Sequence, residues 1–136
     1  MDEKPLKKSY FGLIIWIIVY CGACTAAVFL PVSEQVILRL INVITMVGLC
    51  VLTAVIYKTE YVYWYSGITY EQAAAAGSQR RKEYAGKHLR IFWGLSALFI
   101  IFTIIMQLLG FNALIDEGVM IFGILAAAIR TMFYRL

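Results

Sequence analysis

The chain has 136 residues, of which 62% are hydrophobic and 15% charged, with a mean hydropathy of +0.82 and a formal net charge of +4. A soluble domain carries about 25% charged residues, so this composition excludes a soluble globular protein. Long uncharged apolar runs instead place the chain among integral membrane proteins, with room for one bundle and no separate soluble domain.

The first apolar run, residues 10–30, follows a basic start that includes Lys4 and is interpreted as a retained membrane span. Its length of about 21 residues exceeds the roughly 7–15 of a signal-peptide core. Apolar residues also continue beyond "ACTAA", a mediocre match to a cleavage site, and the run ends only at Pro31. We therefore expect a first transmembrane helix rather than a cleaved leader.

Cys21 and Cys24 form a CxxC pattern inside this run, and Cys50 lies in the next one. Such a pattern serves thiol exchange or soft-metal binding where the thiolate is stabilised. The middle of a lipid-buried helix disfavours the thiolate, and the nearby Gly22 and Ala26 have the small-xxx-small spacing of closely packed helices. We predict a packing role and no metal or cofactor. A Cu(I) or Hg(II) site built from the three cysteines, or disulfide exchange, is the alternative.

The second apolar run, about residues 35–57, contains an arginine roughly one turn from its outer end. This residue is Arg39, and Asn42 follows three positions later on the same helix face. An intramembrane arginine is costly and marks a functional site by default. Two interpretations are open, a structural ion pair or contact with an anion or substrate in a cavity. The acidic candidates for pairing lie in the two short connections on that side: Glu34, Asp116 and Glu117.

The polar middle segment, residues 58–88, begins with an aromatic stripe. Tyr57, Tyr61, Trp64 and Tyr65 recur at i, i+4, i+7 and i+8, which is one face of a helix. This spacing predicts that the second helix extends past the membrane surface to about Tyr65, where "SG" ends it.

The rest of this segment predicts two more helices. Thr69 can cap a short alanine-rich helix that ends at Gly77, and Ser78 can cap the next one. Glu83 and Lys87 would form an i, i+4 pair in that helix, which is expected to continue into the third apolar run. The predicted shape is a helical hairpin that extends the second and third spans. Three side chains of the returning helix are expected to face Tyr57, Tyr61 and Trp64 across the hairpin: Tyr84, His88 and Ile91.

The hairpin is the candidate partner-binding surface, because tyrosine and tryptophan suit a surface that is apolar on one side and wet on the other. The same residues also fit a lipid-headgroup belt with hairpin packing. The basic residues fit either a topology signal or a patch for anionic lipid headgroups. Nucleic acid is not expected as a partner, because no binding motif occurs. The candidate partner-binding residues are Tyr61, Trp64, Tyr65, Arg80, Arg81, Tyr84 and His88.

Two further apolar runs, about residues 89–109 and 118–134, complete the four predicted spans. Gln107, with Thr103 one turn away, is an intramembrane polar candidate that we expect to hydrogen-bond to another helix. Asp and Glu are expected to lie outside all four spans. This disfavours proton-coupled or cation-coupled exchange, which needs a carboxylate within the membrane.

The positions of lysine and arginine predict the orientation. Basic residues precede the first run, occupy the middle segment and recur at Arg135, whereas the two other connections contain only acidic charges. The positive-inside rule therefore predicts a multi-pass plasma-membrane or inner-membrane protein with both termini and the middle segment in the cytoplasm. The predicted fold class is an all-α integral membrane protein with one four-helix transmembrane domain over residues 1–136.

The function predicted from these patterns is a non-catalytic accessory, regulatory or immunity-type subunit that binds a protein partner, or further copies of itself, through the hairpin. The single histidine and the lack of a metal-ligand, phosphate-loop or nucleophile motif argue against an enzyme. The alternative from a different class is an oligomeric channel or carrier that Arg39 biases towards anions. A thiol or soft-metal protein is the third interpretation.

Overall fold

A computed structural model describes residues 5–136; Lys4, used above in predicting the orientation, lies outside them. Within the described residues the chain is helical and contains no strand. The helices are α1 (Phe11–Val28), α2 (Glu34–Thr59), α3 (Tyr70–Ala75), α4 (Gly77–Leu108) and α5 (Ala113–Met132), with a short 3-10 helix at Val62–Trp64.

Three of these helices, α1, α2 and α4, are long and apolar enough to cross a membrane. The prediction of a helical membrane protein agrees with this finding. The fifth helix, α5, is not among these three, and it contains three charged residues, Asp116, Glu117 and Arg130.

The centre of the bundle is α2, which packs against α1, α4 and α5. Met46 of α2, Phe99 of α4 and Met120 of α5 form the buried contact between those three helices. Gly123 of α5 permits a close approach to α4, since a Cβ atom there would lie 3.0 Å from the Leu95 side chain. Helices α4 and α5 therefore approach each other closely at Gly123, beside a core of large apolar side chains.

The first helix lies at the edge of the bundle and has one buried residue, Ala27. It is attached to α2 by two hydrogen bonds. The Trp16 indole nitrogen donates to the Gly48 carbonyl oxygen over 2.9 Å, and the Tyr20 hydroxyl lies 2.8 Å from the Thr45 hydroxyl. Most of the surface of α1 is thus left for lipid or for another chain.

Large apolar side chains cover the exterior of the long helices. So extensive an exposed apolar surface is unfavourable for a monomer in water but is favourable in the hydrocarbon of a bilayer. Among the most exposed are Phe11, Ile18, Leu98, Leu108, Phe122 and Met132.

The second helix ends at Thr59, so the prediction that it extends to about Tyr65 is wrong. Glu60 ends it by adopting a left-handed backbone conformation with φ of 62°, and its N–H donates to the Ile56 carbonyl oxygen. The chain then turns through the 3-10 helix at Val62–Trp64. The aromatic stripe therefore folds back instead of continuing along a helix.

The helices after the turn agree in most respects with those predicted from the sequence. Thr69 caps α3 through a capping box with Gln72, as its position predicted. Gly77 has a φ of 77°, which separates α3 from α4. The prediction of a Ser78 cap is wrong, because Ala76 occupies the N-cap of α4 and the Ser78 hydroxyl donates to Glu60 instead.

The fourth helix is continuous from the polar segment into the third apolar run, as predicted. The Glu83–Lys87 pair forms within it, with Nζ and Oε1 2.9 Å apart.

The last helix begins at Ala113, before the predicted start at residue 118. The Asn112 side chain caps it by accepting from the Leu114 N–H over 2.9 Å. Asp116 and Glu117 consequently lie in its first turns. The helix therefore includes two acidic residues that precede the predicted fourth span, residues 118–134, and Asp116 is completely buried.

Candidate functional site

A buried ion pair joins the ends of α2, α4 and α5 that lie far from the polar segment. Arg39 is 7% exposed, and its Nε donates to Asp116 Oδ2 over 2.9 Å. Its Nη1 donates to Gln107 Oε1 over 2.6 Å, and its Nη2 donates to the Phe111 carbonyl oxygen. The Thr103 hydroxyl donates to the same carboxylate oxygen of Asp116. We call Arg39, Thr103, Gln107 and Asp116 the polar clamp.

The polar clamp favours the structural interpretation of Arg39 over contact with an anion. Each nitrogen of the guanidinium has an acceptor from the chain itself, and the carboxylate belongs to Asp116 rather than to Glu34 or Glu117. The predicted structural ion pair is therefore present, as are the predicted hydrogen bonds from Gln107 and Thr103 to other helices. Three of the five guanidinium N–H donors are engaged by acceptors of the chain itself, which favours the structural interpretation over contact with an anion.

Asn42, the remaining intramembrane candidate, is 2% exposed. Its Nδ2 and the second oxygen of Asp116, Oδ1, have no hydrogen-bond partner among residues 5–136. Gln35 supports the same end of the bundle, since its Oε1 accepts from the Ala113 N–H over 2.6 Å. The polar groups of this region thus act mainly to connect helix ends.

The other end of the bundle is closed by a compact structure that we call the aromatic cap. It comprises the 3-10 helix, α3, the first turns of α4, residues 5–9 and Tyr134. Its buried core contains Ile56, Val62, Tyr63, Ala73, Tyr84 and Ala85. His88 lies among its rings, 4.2 Å from the Tyr65 ring centroid and 5.6 Å from that of Tyr134.

The aromatic cap holds the segment before α1 by hydrogen bonds to its backbone. The Tyr63 hydroxyl accepts from the Ser9 N–H over 2.8 Å and lies 2.9 Å from the Ser9 carbonyl oxygen. The Trp64 indole donates to that carbonyl over 3.0 Å, and the Tyr70 hydroxyl donates to Leu6 over 2.5 Å. Tyr63, Trp64 and Tyr70 therefore bind the backbone of the chain's own residues 6–9.

This placement bears on the residues predicted to bind a partner. Arg81, Tyr84 and His88 are each at most 5% exposed, and Tyr61, Trp64 and Tyr65 are partly buried. Tyr84 and His88 pack against Tyr65, which the predicted facing to Tyr57, Tyr61 and Trp64 did not include. Tyr61 and Trp64 instead pack against each other, and Trp64 also contacts Ser9 and Gly12. Partner binding by these seven residues stays a prediction, and Arg80 is the member of the set that is fully at the surface.

An ion cluster around Glu60 fixes the aromatic cap to α4. Glu60 Oε2 accepts from Arg81 Nε over 3.0 Å and lies 3.0 Å from Arg81 Nη2, while Ser78 donates to Oε1 over 2.6 Å. Arg81 Nη1 also donates to the Ala73 carbonyl oxygen over 3.1 Å. Burial alone would raise the pKa of Glu60, but the hydrogen bonds from Ser78 and Arg81 and the charges of Arg81 and Lys82 outweigh it and lower the pKa below 4.5.

Glu60 was not predicted as a structural residue. One signal was available in the sequence, since Glu60 is the only acidic residue between Glu34 and Glu71. A lone acid in a basic segment is a candidate partner for a buried arginine. The left-handed backbone conformation of Glu60 costs free energy for any residue other than glycine, and the neighbouring sequence gives no sign of it.

The three cysteines are not assembled into one site. All are free thiols; Cys21 is exposed on α1, and Cys24 and Cys50 are partly exposed. Within residues 5–136 no three His, Cys, Asp or Glu side chains come close enough to hold a metal ion. A Cβ atom at Gly22 would meet nothing within 4 Å, so the small-residue face around the cysteines makes no close contact within this chain at that position.

Comparison of the chain with protein-family models, with curated proteins and with solved structures finds no match.

Proposed function

We propose that this chain is a non-catalytic accessory or regulatory subunit of a membrane assembly, of the immunity type or a related one. In this proposal it crosses the membrane four times and presents the aromatic cap to a partner in the cytoplasm. The observation that carries the proposal is the aromatic cap itself, which is folded on its own core and leaves basic residues on its outer surface.

The contacts of α5 support a fourth crossing. This helix has 20 residues and is therefore about 30 Å long, enough to span the hydrocarbon layer. Asp116 in its first turns binds Arg39 in the polar clamp, and Tyr134 just beyond its end contacts His88 in the aromatic cap. Helix α5 therefore extends over the same length of the bundle as the apolar part of α4. Its few charges are tolerable because Asp116 is paired and Arg130 lies near the helix end, where it can extend to the interface.

The positions of the basic residues support the proposed orientation. Four crossings put residues 5–9, the aromatic cap and residues 134–136 on one side of the membrane. These parts of the chain contain most of its lysine and arginine residues. The positive-inside rule supports a cytoplasmic location for that side and a plasma or inner membrane as the site.

The partner surface that we propose is a groove at the tip of the aromatic cap, which we call the tip groove. It has a volume of about 510 Å³ and lies between α3, the start of α4 and residues 134–136. Arg80 and Arg135 line it, and neither makes an ion pair with any of residues 5–136. Ile68 and Ala75 provide apolar walls. Such a surface suits an acidic, partly apolar segment of a protein partner.

Charge reversal at the tip groove tests this proposal. We expect Arg80→Glu to abolish crosslinking of a photoreactive side chain placed at Gln72 to a protein partner in native membranes, because the acidic segment would be repelled. The matched control is Lys7→Glu, which reverses an exposed charge outside the tip groove and should leave the crosslink unchanged. A crosslinking pattern that is identical in both variants would remove the tip groove as the partner surface.

The channel alternative has less support. An anion pathway would need Arg39 to be open to a conduit, but its three nitrogen atoms are occupied by Asp116, Gln107 and Phe111. Arg39 also lines a groove of about 400 Å³ between α2 and α4, but most of the lining residues are apolar and offer little to an anion.

A further inference from the structure

A second basic groove lies between the last turn of α2 and the first half of α4, away from the tip groove. It has a volume of about 430 Å³. We propose that this groove, which we call the interfacial groove, binds the phosphate-bearing headgroup of an anionic phospholipid. The inference goes beyond the accessory function and requires only that α2 and α4 cross the membrane. The lining residues are Tyr57, Lys82, Glu83, Gly86, Lys87, Leu89 and Arg90.

The charges of the interfacial groove favour an anion. Three bases face one acid, and Glu83 is already paired with Lys87. Lys82 is mostly exposed, and its ion pair with Glu60, at 3.6 Å, involves no hydrogen bond. Arg90 is exposed and makes no ion pair or side-chain hydrogen bond with the described part of the chain. Its planar guanidinium can bind two phosphate oxygens at once.

The floor and wall of the interfacial groove come from Gly86 and Tyr57. A Cβ atom at Gly86 would lie 3.5 Å from the Tyr57 ring, in ordinary contact, so the ring borders the glycine closely. Tyr57 is 40% exposed, and its hydroxyl offers a further donor to a phosphate oxygen. A larger side chain at position 86 would occupy the space that the headgroup needs.

The depth of the interfacial groove favours a lipid over a free anion. Along α4 the exposed side chains change from Lys87 and Arg90 to Trp93 and Leu98, and Arg90 and Trp93 differ in depth by only about 4.5 Å. Trp93 is 51% exposed, and tryptophan is enriched at the boundary between headgroups and hydrocarbon. The basic residues therefore lie where lipid phosphates lie, with an apolar surface directly below them for the acyl chains.

Lipid binding to the purified full chain tests the proposal. Phosphatidylglycerol and phosphatidylcholine would be titrated separately in a neutral detergent, and bound lipid would be counted by native mass spectrometry. We expect tighter binding of phosphatidylglycerol. We expect Arg90→Gln and Lys87→Gln each to weaken it by about fivefold, the amount that one basic residue contributes near an anionic surface. Both residues are exposed, so neither substitution disturbs the core.

Two control variants separate a defined site from general surface charge. Arg80→Gln removes the same charge about 15 Å further along α4 and should leave phosphatidylglycerol binding unchanged. Gly86→Leu keeps every charge but fills the interfacial groove, and should weaken binding as much as Arg90→Gln does. If Arg80→Gln weakens binding as much as Arg90→Gln, or if Gly86→Leu has no effect, the interfacial groove is not a lipid site.

A third arm separates the two sources of phosphate. Inorganic phosphate at millimolar concentration is not expected to displace phosphatidylglycerol, because it cannot use the apolar surface below Arg90. Displacement by inorganic phosphate that depends on Arg90 would show a free-anion site and overturn the assignment to lipid.

Discussion

Asp116→Asn is expected to lower the free energy of unfolding by about 3–5 kcal/mol, the cost of removing one partner from a buried ion pair. The substitution keeps the size of the side chain but leaves the charge of Arg39 without a counter-charge in the interior of the bundle. Thr103 would also face an amide in place of a carboxylate. The measurement is reversible unfolding of the purified chain in mixed micelles, followed by helical circular dichroism.

Two further variants separate the loss of the buried ion pair from the loss of an acidic residue in general. Glu117→Gln is the matched control, since Glu117 is the next acid in α5 and makes no ion pair with residues 5–136. Its effect should stay below about 1 kcal/mol. Replacing both partners, Arg39→Met with Asp116→Leu, should recover much of the lost stability because no uncompensated charge remains. Equal effects of Asp116→Asn and Glu117→Gln would contradict a structural role for the polar clamp.

Glu60→Ala is expected to open the aromatic cap. Arg81 is 4% exposed, and the substitution removes the carboxylate that neutralises it and the acceptor for Ser78. The cost of about 3 kcal/mol corresponds to a roughly hundredfold increase in the population of the open state. Limited proteolysis after lysine and arginine in residues 58–82 would therefore speed up by a similar factor, while the long helices in detergent stay intact.

The control for Glu60→Ala is Glu71→Ala, which removes an exposed acid from α3. It should change the cleavage rate little. In the unaltered chain, the lowered pKa of Glu60 implies that its contribution to stability is complete near neutral pH and is lost as the pH falls below about 4.5 through the lowered value. Protection from cleavage that is the same in Glu60→Ala as in the unaltered chain would show that the ion cluster does not hold the cap.

The apolar runs predicted most of the helices, because a segment in lipid must satisfy its own backbone hydrogen bonds whatever its neighbours are. They predicted α1, the start of α2 and the continuity of α4. They did not predict the end of α2 at Glu60, a residue that pairs with Arg81 twenty-one positions later. A local pattern contains no information about such a contact.

The candidate site was predictable in part for the same reason. A costly arginine needs a counter-charge, so a short set of acids could be proposed for Arg39, and Asp116 is one of them. The aromatic stripe was misinterpreted because four rings at helical spacing fit a helix face and a folded-back turn equally well. Only the hydrogen bonds of Tyr63 and Trp64 to Ser9 reveal which one the chain adopts.

The most direct measurement is the side of the membrane on which each end of α5 lies. In a chain whose three cysteines are replaced by serine, single cysteines at Ser33, Gln79 and Arg135 would be treated in intact cells with an impermeant thiol reagent. Ser33→Cys is expected to react at once, whereas Gln79→Cys and Arg135→Cys should react only after the membrane is permeabilised. Reaction of Arg135→Cys in intact cells, with Gln79→Cys protected, would contradict the fourth crossing, and reaction of Gln79→Cys would place the aromatic cap outside the cell.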